Sequence, residues 1–163
     1  MKHIVNFVEY KERDFPLHKH DYYEILVYVD GEGHIMIENQ TFSIKKGEIV
    51  AIPPKMEHGS ISSDKLKSIY VAWKDNFPFT FNHPLFFSDN QNEEGQFLAK
   101  AIFNNRYKNS EFLTALCNAL AQFVLQNVGG DIRNRHGTFV FVSLDVLPEN
   151  DLFFIVLLIK WFG

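Results

Sequence analysis

The pattern of apolar and polar residues divides the chain into three zones. Residues 1–92 contain short apolar runs, rich in Ile, Val, Phe and Tyr, that are separated by turn residues. Residues 93–128 show helical periodicity, and residues 129–163 match neither pattern. We therefore predict a β unit over 1–92, a helical unit over 93–128 and an atypical tail over 129–163.

Five runs of five to seven residues in the first zone predict β-strands. The segment 31–33, with two glycines, predicts a hairpin link between the second and third runs. Residues 38–40 and 46–47 predict further turns, and the two prolines at 53–54 end a strand because proline cannot donate to a ladder. Many short strands at this spacing indicate an antiparallel sandwich or barrel. The predicted strands are 3–8, 24–30, 34–38, 48–52 and 67–73.

Aromatic and helical segments follow the predicted strands. Five phenylalanines and two prolines lie within residues 76–87. The prolines argue against a helix, and we expect the rings to pack on the barrel or to meet a partner. Ser110 is a candidate N-cap for the second of two predicted helices, which Gly129 and Gly130 would end. The predicted apolar stripes are Phe97, Leu98, Ala101 and Ile102 in the first helix, and Phe112, Leu113, Leu116, Leu120, Phe123 and Val124 in the second.

Composition narrows the functional classes. The 163 residues suit one domain, with or without an appendage. Lys and Arg number 16 against 20 Asp and Glu, a net charge of −4, which argues against a nucleic-acid-binding module. The one cysteine, Cys117, excludes an intramolecular disulfide. The N-terminus has no long apolar stretch typical of a signal peptide, and the apolar run 152–159 is too short to span a bilayer. We expect a cytoplasmic protein without membrane contact.

Four potential metal ligands carry the clearest chemistry in the sequence. His18 and His20 lie two residues apart, and Glu24 is at even spacing from both. On a regular strand all three side chains would therefore point to one face. His58 follows Glu24 by 34 residues, at the end of a strand-turn segment. Three imidazoles and one carboxylate suit iron, manganese, nickel or zinc, with positions left open for substrate.

These spacings resemble the two motifs of the cupin superfamily. In the second motif Lys55 and Ser62 replace the usual Gly and Asn, so two structural positions depart while the ligand positions are kept. The resemblance implies a mainly β fold, a double-stranded β-helix (jelly-roll) barrel. The first motif is met at His18, His20, Glu24 and Gly31, and the second at Gly47, Pro53 and His58.

A narrower resemblance is to the N-terminal sugar-sensing (arabinose-binding-like) domain of AraC-type transcriptional regulators. It rests on the string FPLHKHDYYEI at 15–25, on residues 31–33 and 47–54, and on His58. It covers roughly residues 1–128 and implies that the barrel is followed by an α-helical hairpin through which two chains form a homodimer. In regulators resembling this one, the four ligand positions often persist without a metal, as hydrogen-bonding groups in or beside the pocket.

The helix-turn-helix DNA-binding domain of such regulators has no counterpart in the tail. Residues 129–163 show no paired-helix pattern, and their basic residues are only Arg133, Arg135 and Lys160. We therefore expect no DNA binding by this chain alone. The tail is consistent with a natural stand-alone sensor, with a truncated or frameshifted regulator, or with an engineered fragment that carries foreign residues.

Three functions are consistent with the sequence. The first is the sensing domain of an AraC-type regulator, which binds a small polar metabolite, most plausibly a sugar, without any cofactor. The second is a mononuclear metal-dependent cupin enzyme, a dioxygenase or an isomerase, and the third is a stand-alone sugar-binding cupin. Aromatic rings can stack on sugar faces while polar groups meet the hydroxyls. The expected ligand contacts are Tyr28, His58, Trp73 and His20, and the candidate metal ligands are His18, His20, Glu24 and His58.

Overall fold

Strands come first along the chain and two helices follow. The computed structural model describes residues 3–9, 15–75, 77–108 and 110–128. This arrangement confirms the predicted mainly β architecture with helices after the barrel, whereas the atypical tail lies outside the described residues. The elements are β1 (His3–Glu9), β2 (Phe15–His18), β3 (Tyr23–Ile37), β4 (Gln40–Lys45), β5 (Glu48–Ile52), β6 (His58–Trp73), β7 (Leu85–Ser88), α1 (Glu94–Asn105) and α2 (Ser110–Val128).

Two long strands, β3 and β6, form the centre of the sheet. The strand order is β1-β6-β3-β5-β7, with β2 also paired to β6 and β4 also paired to β3. All these pairs are antiparallel. The β3–β6 pairing runs from Tyr23 opposite Trp73 to Ile37 opposite His58. The first residue of β6 therefore lies opposite the last residue of β3.

The predicted hairpin at residues 31–33 is wrong. Strand β3 continues through this segment and keeps its pairing with β6, with register shifts between Tyr28 and Gly33. Gly31 has φ 76, a left-handed value that glycine adopts without steric cost. The glycine bulges and bends the strand here and does not reverse it.

The structure confirms some of the other predicted strands and turns and shows different bounds for others. Strand β5 occupies 48–52 as predicted, and the turns at 38–39 and 46–47 are confirmed. Strand β6 begins nine residues before the predicted start at 67, in a polar segment whose sequence shows no apolar run. Strands β2, β4 and β7 were not predicted, because β2 and β7 have only four residues each and β4, with the sequence QTFSIK, is mostly polar.

The sheet has an inner and an outer apolar face. Along β3 and β6 alternate residues point to opposite faces, as the strand period requires. We call the buried residues of the barrel interior the inner cluster: Leu26, Tyr28, Ile35, Ile37, Ile44, Val50, Ile52 and Leu66. The outer cluster comprises the opposite face of these strands together with the helices and aromatic residues that cover it, among them Ile25, Val27, Ile49, Ile69, Val71, Trp73, Phe79, Ile102 and Leu120.

The aromatic segment packs on the barrel of its own chain. Phe79 and Phe81 are buried in the outer cluster, and the half-buried Phe77 stacks on Tyr23 with ring centroids 4.7 Å apart. The edge of Trp73 also meets Phe77, at 5.0 Å. The segment therefore closes the outer face next to the first residues of β3.

The helices cover the same outer face. The Asp89 carboxylate accepts the backbone N–H groups of Gly95 and Gln96, each at 2.9 Å, and so caps the first turn of α1. The predicted stripe of α1 was partly wrong, because Phe97 is 70% exposed while Ala99 and Ile102 are buried. The stripe of α2 is buried over its second half, at Leu120, Phe123 and Val124, whereas Phe112 is 52% exposed. Within the described part of the chain, neither helix combines the length and the apolar character that crossing a membrane requires.

Candidate functional site

Three imidazoles and one carboxylate meet at one end of the barrel. His18 ends β2 and lies directly opposite His58, the first residue of β6, while Glu24 lies near the start of β3. The ring centroids of His18 and His58 are 4.3 Å apart, and those of His20 and His58 are 5.0 Å apart. One nitrogen from each ring lies within 4.8 Å of the others. The structure thus brings the four candidate ligands together, and we call them the His/Glu cluster.

The route by which they meet differs from the expected one. The side chains of His18, His20 and Glu24 were expected to converge because they would lie on one face of a regular strand. Instead β2 ends at His18, the chain bends at Asp21 and Tyr22, and β3 begins at Tyr23. The bend returns the His20 side chain toward Glu24, so the even spacing predicted the correct set of residues for an incorrect reason.

Each imidazole is oriented by a backbone carbonyl group. The Nδ1 atom of every ring lies 3.0–3.1 Å from a carbonyl oxygen two residues away. Because a carbonyl oxygen only accepts hydrogen bonds, Nδ1 carries the proton, and in the neutral ring Nε2 has a free lone pair. Metal-binding histidines are commonly oriented in this way. The pairs are His18 with Pro16, His20 with Tyr22 and His58 with Met56.

The carboxylate of Glu24 completes an acceptor-rich cluster. Glu24 is 5% exposed, and its Oε2 lies 2.8 Å from His20 Nε2 and 3.9 Å from His58 Nε2. A lone pair on Nε2 would repel a carboxylate oxygen at 2.8 Å. A hydrogen bond with the proton on either of the two atoms, or a cation bound by both, would stabilise this contact.

His58 is the most deeply buried histidine of the cluster. It is 3% exposed, and its Nε2 atom has no hydrogen-bond partner among the residues that the structure describes. Burial lowers the pKa of His58, because the charged imidazolium is poorly solvated there. The neutral ring that results is the form in which histidine accepts a hydrogen bond or binds a metal ion.

The two aromatic residues expected to contact a ligand lie elsewhere. Tyr28 is fully buried in the inner cluster, four residues along β3 from Glu24, which is about 13 Å along a strand. Trp73 is on the opposite face of the sheet, in the outer cluster against Phe77. The structure therefore does not bring Tyr28 and Trp73 together with each other or with the His/Glu cluster.

Tyr22 is a further residue of this site, one that was not predicted from the sequence. Its ring stacks in parallel on the ring of His20, with centroids 3.7 Å apart and an interplanar angle of 4°. Burial raises the pKa of Tyr22, with smaller effects from Glu24 and Tyr70. Tyr22 lies at even spacing from His18, His20 and Glu24, so the period-two argument that selected those residues was also the available signal for Tyr22.

Lys55 replaces the glycine of the second cupin motif but has a left-handed backbone conformation, as glycine readily does. Its φ is 68, in the left-handed region where glycine is preferred, and its N–H donates to the carbonyl oxygen of His20 at 2.6 Å. The loop before β6 therefore holds the backbone next to His20 even without the motif glycine. The side chain of Ser62, the other departure, lies outside the described residues.

A known protein family matches the part of the chain that carries the cluster. Residues 3–73 match the family model of the AraC-like ligand binding domain, and this range includes all four residues of the His/Glu cluster. None of the curated proteins matches the sequence.

Solved structures of several kinds are similar to this chain. Apo ToxT K231A from Vibrio cholerae strain SCE256 aligns over 85% of this chain and 59% of its own, with a TM-score of 0.60 and 11% identity, so the likeness concerns the fold. This chain therefore spans less than two thirds of the length of that protein. A cupin-2 domain containing protein from Shewanella frigidimarina NCIMB 400 has 24% identity over 42% of this chain and 68% of its own, with a TM-score of 0.39. The EutQ protein of Clostridium difficile has 28% identity over 44% of this chain and 51% of its own, with a TM-score of 0.39.

The motifs, the antiparallel barrel with its two following helices and the match over residues 3–73 agree with one another. Residues 3–73 are therefore similar to the AraC-like ligand binding domain.

Proposed function

We propose that the chain is the ligand-sensing domain of an AraC-type transcriptional regulator and that a small polar metabolite binds at the His/Glu cluster. The observation that carries the proposal is the presence of these four converging polar side chains within the matched domain. Acceptor atoms in a largely buried setting are stabilised by a ligand that supplies donors. Sugar hydroxyl groups supply such donors, and the ring of Tyr22 offers a nearby aromatic surface.

A divalent metal also fits the residues present. The buried Nε2 of His58 has no partner among the described residues, and the Nε2 of His20 faces a carboxylate oxygen. His18, His20, Glu24 and His58 would hold the ion, and a bound ion would supply a Lewis-acidic centre. This donor set favours the second candidate function, a mononuclear metal-dependent cupin enzyme.

The first experiment separates the two candidates. The protein is purified without added metal, its metal content is measured by mass spectrometry, and its melting temperature is recorded with a panel of aldoses and polyols. For a sensor we expect one sugar to raise the melting temperature, because a ligand at 100 times its Kd stabilises the folded state by about 2.7 kcal/mol. Glu24→Gln should abolish this shift.

His34→Gln is the matched control, since His34 is exposed on β3, well separated in sequence from the cluster. This variant should respond to the sugar as the wild type does. Stoichiometric metal that is lost in His20→Gln, with no sugar response, would overturn the sensor proposal in favour of the enzyme. Absence of both metal and sugar response would contradict both candidates.

A further inference from the structure

Tyr22 makes two contacts to His20 that constrain different motions of the same ring. The Tyr22 carbonyl oxygen lies 3.0 Å from His20 Nδ1, which fixes the direction of that nitrogen. The Tyr22 side chain stacks on the imidazole at 3.7 Å between centroids and 4° between planes, which prevents the ring from tilting. One residue thus fixes both the rotation of the imidazole and its plane.

His20 needs such support more than its two neighbours do. His18 and His58 belong to strands that pair with each other, so the sheet fixes their backbones. His58 is also buried, and His18 has the edge of Phe15 against it at 5.1 Å. His20 lies in the bend between β2 and β3, outside any strand. Its ring nevertheless makes the shortest contact to Glu24, at 2.8 Å.

We infer that Tyr22 is a positioning residue, which holds the His20 imidazole with Nε2 directed at Glu24. The inference rests on the proposed binding site, because it assigns Tyr22 a role in forming that site. The tyrosine acts through its ring and its backbone carbonyl group, and its hydroxyl is not required. Phenylalanine should therefore replace it, whereas a side chain without an aromatic ring should not.

The test uses the full chain, three variants of Tyr22 and one control variant. Tyr22→Phe keeps the stacked ring, while Tyr22→Leu and Tyr22→Gln remove it, the latter with a polar side chain suited to a half-buried position. Tyr107→Leu is the control, because Tyr107 is 88% exposed in the segment between α1 and α2. Circular dichroism verifies that each variant folds. The first measurement, on metal-free protein, is nitrogen-detected NMR of the His20 imidazole, which reports whether Nδ1 is protonated and whether the ring has one orientation.

We expect the wild type, Tyr22→Phe and Tyr107→Leu to show one set of His20 ring signals, with Nδ1 protonated. Tyr22→Leu and Tyr22→Gln should show signals from more than one ring orientation. The second measurement is a titration with Co²⁺ alone, followed by visible absorption. Loss of a residue that orients a ligand commonly weakens metal binding by about 10–100-fold. We expect the affinity for Co²⁺ to fall by that factor in Tyr22→Leu and Tyr22→Gln. In Tyr22→Phe and Tyr107→Leu we expect it to change by less than about twofold.

The results distinguish failure of the inference from failure of the metal site. If the wild type does not bind Co²⁺, the metal candidate fails and the NMR measurement alone decides the role of Tyr22. If Tyr22→Leu and Tyr22→Gln keep one set of His20 ring signals and, where the wild type binds Co²⁺, keep its affinity, then the inference is overturned.

Discussion

Lys55 has a left-handed backbone, with φ 68, at the position where the second cupin motif has glycine. A side chain in this region costs roughly 1–2 kcal/mol, because Cβ approaches the following carbonyl oxygen. The hydrogen bond from its N–H to the His20 carbonyl oxygen maintains the conformation. The geometry of this loop is therefore set by its surroundings and is retained despite the unfavourable residue.

Lys55→Gly should raise the free energy of unfolding by about 0.5–1 kcal/mol, since relief of strain exceeds the greater chain entropy of glycine in the unfolded state. Urea denaturation monitored by tryptophan fluorescence measures the change. Lys45→Gly, at an exposed position in β4, is the control and should lower stability. Equal destabilisation by both substitutions would show that Lys55 is not strained.

Gly59 permits the close approach of β2 to β6. A Cβ atom on Gly59 would lie 2.7 Å from the carbonyl oxygen of Phe15 and 3.1 Å from the amide nitrogen of Leu17. Both are backbone atoms, so β2 itself would have to move. His18 is the next residue after Leu17, and it therefore depends on this glycine for its place opposite His58.

Gly59→Ala should lower the free energy of unfolding by about 1–3 kcal/mol, as overpacking does, and should shift the NMR signals of the His18 ring. Gly47→Ala is the matched control. Gly47 has φ 85 but nothing within 4 Å of an added Cβ, so its substitution should destabilise the fold without disturbing His18. Unchanged His18 signals in Gly59→Ala would contradict the proposed dependence.

At the scale of secondary structure, a strand was predicted correctly where its own sequence indicates its bounds. It was not predicted where its conformation depends on pairing with residues distant in sequence. Strand β5 has five consecutive buried residues between a glycine turn and a proline pair, and its bounds were predicted correctly. Strand β3 was divided at Gly31, because two glycines favour a hairpin locally while pairing with β6 keeps the strand continuous. The first half of β6 is polar, so its strand conformation depends on partners distant in sequence.

Cys117 belongs to α2, and its side chain is completely buried in the outer cluster. Burial raises the pKa of this thiol to about 12, because a thiolate is poorly solvated there. The proton is thus held more tightly in the folded than in the unfolded state. The buried thiol contributes fully to stability at a pH below the pKa that it has in the unfolded chain. This contribution is lost as the pH rises from there through about 12.

Native protein should therefore resist iodoacetamide at pH 8, where a thiol of pKa about 12 is ionised to only about 10⁻⁴. In urea, one equivalent should react at the rate of a free thiol. Mass spectrometry measures both rates. Rapid labelling of the native protein would indicate that α2 detaches from the barrel, contrary to the packing described here.

At the scale of the whole molecule, we propose that exposed aromatic rings of the helices lie in the homodimer interface that the resemblance implies. Phe97 in α1 and Phe112 in α2 are 70% and 52% exposed, although both belong to the apolar pattern of their helices. A second copy that covers these rings would remove apolar area from water, at about 25 cal/mol per Å². The resemblance to AraC-type regulators implies association through the same helices.

Phe112→Glu should convert a dimer to a monomer, since a buried charge without a partner is strongly unfavourable at an interface. Light scattering after size-exclusion chromatography gives the mass of each form. Gln122→Glu adds the same charge at another exposed position of α2 and should leave the mass unchanged. A wild-type protein that is monomeric at all concentrations would contradict the dimer.

The candidate site was predictable as a set of residues, but its surroundings were not. The spacing of His18, His20, Glu24 and His58 was sufficient to select residues that the structure brings together. Spacing does not specify which face of the sheet Trp73 occupies, because a shift of one residue reverses the face. It also does not reveal a stacked ring such as that of Tyr22, which requires the bend after β2.

The pairing of β3 with β6 has a consequence for how the chain folds. Tyr23 and Trp73 are opposite each other although the residues between them include two further strands, β4 and β5. Joining such distant segments is slow, and β-rich domains with mainly non-local pairing fold in milliseconds to seconds. The local β3–β4 hairpin can form first, and His58 joins the other imidazoles only when β6 docks. We therefore expect the binding site to be absent from early folding intermediates and to appear as the barrel closes.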